Sequence, residues 1–134
     1  MNPRELISPA GIAGAPVGVE PSQGVEHTEA LTIRTIRDMT ARGERFACLT
    51  CYDATTARWL ERAGVHILLV GDTAAEVILG FERTIDMPLE VLLALTAAVK
   101  RGAPKCLVMG DMPFMSYQAD DASALRNAGR FLTE

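Results

Sequence analysis

Two stretches of this chain share one design: a short apolar run, then glycine, then aspartate. His66-Ile67-Leu68-Leu69-Val70 leads into Gly71 and Asp72, and Lys105-Cys106-Leu107-Val108-Met109 leads into Gly110 and Asp111. Apolar runs of this length, rich in branched residues and bounded by turn residues, predict strands buried on both faces. The glycine lets the backbone turn, and the aspartate places a carboxylate just past the strand's C-terminal end. A third run, 46–50, predicts another strand, closed by the turn Cys51-Tyr52-Asp53.

Helical spacing fills the intervals. Ile33, Ile36 and Met39 recur with Arg34, Arg37 and Asp38 between them, which predicts a helix over 32–42 ended by Gly43. Ala57, Leu60 and Ala63 form the stripe of a helix over 54–63, with Asp53 as its cap and Gly64 just past its end. Residues 74–79 read as a short helical turn closed by Gly80. Pro88 suits the first turn of a strongly apolar helix over 89–100. Asp86 or Met87 is its expected cap, Glu90 sits near its positive end, and Gly102 terminates it. Pro104 introduces the strand 105–109, 112–117 is a loop, and Asp120 or Asp121 caps a last helix over 122–132. The fold class is therefore α/β: three strands of a parallel sheet, each with its following helix, preceded by one extra helix. The outer strands of such a sheet need something to cover their edges. Ligands of α/β folds bind at the carboxyl ends of the strands, which makes Asp72 and Asp111 a candidate pair for one cation.

Composition narrows this picture. A chain of 134 residues is about one domain, and its 49% apolar and 22% charged residues are those of a soluble globular protein. With a net charge of −4 and no Lys/Arg cluster among aromatics, a nucleic-acid partner is not expected. No apolar run within a helical pattern reaches the ~20 residues that span a bilayer. In residues 1–30, Pro9, Gly11, Gly14 and Pro16 interrupt the region a secretory signal would need, so a disordered N-terminal extension is expected, with residues 31–134 as the folded domain. Cys48 and Cys51 have C-x-x-C spacing, but strand positions three apart point to opposite faces, and no further Cys or His pair completes a metal set. Buried structural thiols in a reducing cytoplasm are the expectation for Cys48, Cys51 and Cys106.

Each candidate also has a plainer reading. Asp72 and Asp111 suit ordinary loop carboxylates behind buried strands, and Thr73 suits a helix N-cap. Asp53 is a cap, Tyr52 and Tyr117 are packing, His66 is structural and His27 belongs to the flexible tail. Glu82, Arg83 and Asp86 form a solvated loop face.

Four blocks point further: Thr50-Cys51-Tyr52-Asp53, Leu69-Val70-Gly71-Asp72-Thr73, Thr96 through Pro104, and Gly110-Asp111-Met112-Pro113-Phe114-Met115-Ser116-Tyr117. Together, in order and with family-like spacing from about Thr32 onward, they closely resemble ketopantoate hydroxymethyltransferase. The resemblance implies a (β/α)8 barrel of which this chain supplies about three βα units, and a homo-oligomer in full-length form, in the cytoplasm. It implies transfer of a hydroxymethyl group from the co-substrate 5,10-methylenetetrahydrofolate to 3-methyl-2-oxobutanoate, giving 2-dehydropantoate for pantothenate biosynthesis. It also implies Mg²⁺ at Asp72 and Asp111, with Asp72, Thr73 and Asp111 meeting the keto acid. Thr73 stands where many relatives have Ser, and the hydroxyl is kept. Such barrels run to about 250 residues. The family's lysine, a glutamate of the site and the proposed catalytic base lie beyond Glu134, so no catalytic residue is expected here, and neither is turnover by this polypeptide alone. Two other classes stay open: a non-catalytic or partner-binding fragment, and a different metal-dependent barrel enzyme acting on another keto acid.

Overall fold

The computed structural model describes residues 27–134. Most of the expected N-terminal extension, residues 1–26, lies outside them. In chain order the elements are α1 (Ile33–Ala41), β1 (Cys48–Thr50), α2 (Ala54–Arg62), β2 (Ile67–Val70), α3 (Ala74–Val77), a 3-10 turn (Thr84–Asp86), α4 (Leu89–Gly102), β3 (Leu107–Gly110) and α5 (Asp121–Thr133). The strands form one parallel sheet in the order β1-β2-β3. Leu49 pairs with Leu68 and Thr50 with Leu69, while Leu68 pairs with Val108 and Val70 with Gly110. Strand, helix and strand repeat with each new strand beside the last, as the hydrophobic pattern predicts.

Local chemistry sets the helix boundaries. The Thr32 hydroxyl accepts from the Thr35 amide while the Thr35 hydroxyl accepts from the Thr32 amide, a reciprocal cap for α1. The Asp53 carboxylate accepts from the Thr55 and Thr56 amides, each at 2.8 Å, and so starts α2. The Asp120 carboxylate accepts from the Ser123 amide and starts α5. At α4 the expectation fails: Pro88 itself is the N-cap, and no side chain caps the helix. Proline removes one amide that would otherwise need a partner, while Asp86 is engaged with Arg83 at 2.7 Å.

Helices cover one face of the sheet. Leu68 and Val70 of β2 are fully buried together with Leu92 and Val99 of α4 and Ala57 of α2. Burial of each of the larger side chains stabilises the fold by roughly 1.5–3 kcal/mol. Residues alternate between faces along a strand, so Thr50, Leu69 and Met109, which share a row by register, turn away from that core. Thr50 is exposed, Leu69 is half-buried and Met109 is 47% exposed. Burial on both faces therefore holds for most of β2 only. The residues of β1 are exposed, because it is an edge strand and helix cover reaches it poorly. Cys48 is exposed for the same reason, contrary to expectation, whereas Cys51 and Cys106 are buried. Ala63 is also exposed, so the buried stripe of α2 stops short of its last turn.

Polar groups secure the amino edge of the sheet. The Glu61 carboxylate accepts from the amides of Lys105 (2.6 Å) and Cys106 (3.1 Å), tying α2 to the start of β3. The Lys100 ammonium donates to the Pro104 and Cys106 carbonyls. His66 Nδ1 accepts from the Ala47 amide, the structural role expected of it. His27 Nε2 bonds the Val65 carbonyl at 3.1 Å, which fixes a residue expected in the tail.

Gly102 ends α4 as expected and has a second task. It is the last residue of α4, and a Cβ there would lie 2.3 Å from the Ala54 carbonyl oxygen, so its lack of a side chain lets α4 close on α2. Gly102→Ala is expected to destabilise the chain by roughly 1–3 kcal/mol, since backbone atoms must move apart. Thermal or urea melting measures this, and an unchanged midpoint would show that the helices separate without cost.

Candidate functional site at the carboxyl edge of the sheet

The sheet ends in two aspartates on neighbouring strands. Val70 pairs with Gly110, and the Asp111 amide donates to the Val70 carbonyl at 2.9 Å. Asp111 thus follows β3 directly, and Asp72 follows β2 after the buried Gly71. Asp72 is half-buried and Asp111 exposed. The ion pairs among the described residues are Arg42–Glu44, Arg83–Asp86, Arg130–Glu90 and Arg130–Glu134, so neither carboxylate is neutralised by a neighbouring cation. No group of three or more His, Cys, Asp or Glu converges as a metal set among the described residues. Among the described residues, an ion at this edge would find at most a pair of carboxylates and would leave its other positions to water or ligand. That suits Mg²⁺, which commonly keeps several non-protein ligands.

Thr73 does not act as expected of a capping residue. It precedes α3 with helical φ and ψ, and its hydroxyl caps nothing. Instead its Oγ1 lies 2.6 Å from the Tyr52 hydroxyl, a hydrogen bond from the end of β1 to the end of β2. The Cys51 amide donates to the Leu69 carbonyl at 2.9 Å, which holds this segment against β2, and the half-buried Tyr52 ring packs on the core. Sequence reasoning assigned Tyr52 to packing and missed the bond. The available signal was the strand-end position of both residues, in the Thr50-Cys51-Tyr52-Asp53 and Gly71-Asp72-Thr73 turns. Gly71 matters here through closeness: a Cβ on it would lie 3.3 Å from Thr73 Oγ1 and crowd that hydroxyl.

The remaining titratable groups are structural. Burial pushes the Cys106 thiol up to about 11 and raises that of Cys51 as well, so neither is a ready nucleophile. Asp53 is held below the ordinary carboxylate range, first by the Thr56 hydroxyl and then by the Thr56 and Thr55 amides. Tyr117 is exposed. A cleft of about 500 Å³ lined by Leu93, Val108 and Phe131, among others, sits between α4, β3 and α5 and includes none of Asp72, Thr73 or Asp111.

The structure is thus a parallel α/β unit with two carboxylates and a bridged hydroxyl at the carboxyl edge of its sheet, the edge at which ligands of such folds bind. The family described as ketopantoate hydroxymethyltransferase matches residues 30–134. This chain belongs to that family. It is 42% identical over 126 residues to a 3-methyl-2-oxobutanoate hydroxymethyltransferase of Frankia casuarinae, covering 94% of this chain and 43% of the relative. Relatives of the same name are 44% identical in Rhodococcus jostii, over 87% of this chain and 40% of theirs, and 48% identical in Thermobifida fusca, over 75% and 37%. The chain thus spans about two fifths of the length of these curated relatives. No helix among the described residues is long and apolar enough to cross a membrane.

Asp53→Ala should cost about 1 kcal/mol of stability at neutral pH through loss of the cap. The folded protein depresses the Asp53 carboxyl, so its contribution is present above the unfolded-state value and is lost as pH falls through the folded one. Melting curves of both proteins should therefore differ at pH 7 and converge in acid. A gap that is constant with pH would contradict the ionised cap.

Proposed function

We propose that this chain carries the metal- and keto-acid-binding edge of a 3-methyl-2-oxobutanoate hydroxymethyltransferase, the activity in the name of its curated relatives. The observation that carries the reading is the register of β2 on β3, with Val70 beside Gly110 and the Asp111 amide on the Val70 carbonyl. That pairing supports the reading by bringing the two turns to one edge of the sheet, with Asp111 next to Gly71 and Asp72 one residue beyond it. In this reading the three strands are the first staves of a (β/α)8 barrel, and the row of exposed Thr50, half-buried Leu69 and exposed Met109 faces its interior. The exposed apolar side chains of Val77, Ile78, Phe81 and Ile85 support assembly of the full-length protein as a homo-oligomer.

Asp72 and Asp111 would hold Mg²⁺, as the donor set permits. When bound, the ion supplies Lewis-acid stabilisation to the enolate of 3-methyl-2-oxobutanoate. The Thr73 hydroxyl orients the acid's carboxylate, and 5,10-methylenetetrahydrofolate is the expected one-carbon donor. This polypeptide alone does not turn over. Both lysines and both histidines of the sequence stand at the amino edge: Lys100 on the Pro104 and Cys106 carbonyls, Lys105 at the start of β3, His27 on the Val65 carbonyl and His66 on the Ala47 amide. None of these groups serves the carboxyl edge as a proton carrier.

A second reading, a binding piece that docks on another chain, is favoured by the exposure of β1 and of the row through Met109. Gel filtration with thermal melting separates the two. A cooperative fold without a partner disfavours docking, and capture of another protein's strands favours it.

Calorimetry of the purified chain should show binding of 3-methyl-2-oxobutanoate only with Mg²⁺ present. Asp72→Asn and Asp111→Asn should each weaken it by at least about tenfold, the usual scale for losing one charged ligand. No turnover is expected with methylenetetrahydrofolate added. Mg²⁺-independent binding, or tight binding of an unrelated acid instead, would overturn the reading.

A further inference from the structure

The Tyr52–Thr73 hydrogen bond has a direction, and the direction selects a ligand. The two hydroxyls lie 2.6 Å apart, and each is able to donate or to accept. A phenol is the more acidic hydroxyl and an aliphatic alcohol the better acceptor, so the favoured arrangement has Tyr52 donating and Thr73 accepting. Thr73 then keeps its own proton for a third group. That proton has no partner in α3, because the Thr73 side chain makes no capping bond. Thr73 is exposed and the Tyr52 ring half-buried, so the hydroxyl free to turn outward is that of Thr73.

We infer that Tyr52 is a positioning residue which polarises the Thr73 hydroxyl into an outward-facing donor for an anionic oxygen, the carboxylate of a 2-oxo acid. This rests on the reading of the site given above and adds to it a role for a side chain on a third strand. Each of the three strand ends then supplies one component. β2 and β3 carry the carboxylates that attract a cation, and β1 carries the phenol that makes the neighbouring hydroxyl a donor. Two carboxylates alone repel an acid. A cation together with a fixed O–H donor reverses that preference and discriminates acids from neutral ketones.

The backbone holds Tyr52 for this task. The Cys51 amide on the Leu69 carbonyl fixes the residue before it, and the Asp53 carboxylate on two amides of α2 fixes the residue after it. Little freedom is left for the ring to lose on binding. Removing the phenol oxygen frees the Thr73 hydroxyl to rotate and to donate elsewhere, while the ring keeps its packing.

A double-mutant cycle on the whole chain tests the inference, with Mg²⁺ and 3-methyl-2-oxobutanoate as probes and calorimetry as the readout. Thr73→Val should weaken binding about tenfold, the scale of one hydrogen bond to a charged group. Tyr52→Phe should lose a smaller factor, about three- to fivefold, because the bond that it removes joins two neutral hydroxyls, and the double variant should lose no more than Thr73→Val alone. Thr73→Ser should restore binding and, with it, sensitivity to Tyr52→Phe. Metal binding measured without the acid should be unchanged in every variant, which a general collapse of the site would not give. Binding is measured below the melting transition of every variant, so that a loss of stability in Tyr52→Phe does not stand in for a loss of binding. Equal binding by wild type and Thr73→Val, or additive losses in the cycle, overturns the role of Tyr52 and leaves the metal site standing. Absence of acid binding by the wild-type chain overturns the underlying reading and this inference with it.

Discussion

Parallel pairing of β2 with β3 is the constraint on which the rest of this structure depends. Four residues of each strand are in register, and the last pair, Val70 with Gly110, fixes how far each chain runs before it turns. A slip of one residue would send Leu68 and Val70 to the opposite face and pull them away from Leu92 and Val99. The register is therefore enforced by the core. The same register brings the turn after β2 and the turn after β3 to one edge of the sheet, with Asp111 one step behind Asp72.

The polar groups are divided between the two edges of the sheet. At the amino edge, Glu61, Lys100, His27 and His66 are bound to backbone amides and carbonyls and act as fasteners. At the carboxyl edge, Asp72 and Asp111 have no ion-pair partner among the described residues, and Thr73 is bridged to Tyr52. The buried thiols of Cys51 and Cys106 belong to the core between these edges, where burial keeps them protonated. The bonded groups of the amino edge hold the fold, and the two aspartates stand at the edge where ligands of parallel sheets bind.

Much of this was legible in the sequence because local rules and tertiary packing agree. The apolar-Gly-Asp repeat gave both central strands, and Asp53 capped the helix behind it as its side chain predicts. Legibility failed where the deciding contact is distant in sequence. Gly102 ends its helix as expected, but its close packing on Ala54, forty-eight residues earlier, has no local signal. Tyr52 looks like packing because the Thr73 hydroxyl that it meets lies twenty-one residues on. The exposure of β1 and Cys48 depends on the sheet's edge, which periodicity does not encode. Metal binding by the two aspartates was suggested by resemblance and by their positions, not by any spacing within one element.

The most direct measurement of the central claim is paramagnetic NMR of the chain titrated with Mn²⁺ in place of Mg²⁺. If Asp72 and Asp111 grip one ion, the amides of residues 71–73 and 110–112 broaden together at the same low Mn²⁺ concentration, and excess Mg²⁺ restores both sets. Broadening of one turn without the other, or first at a surface carboxylate such as Glu82, would contradict the account.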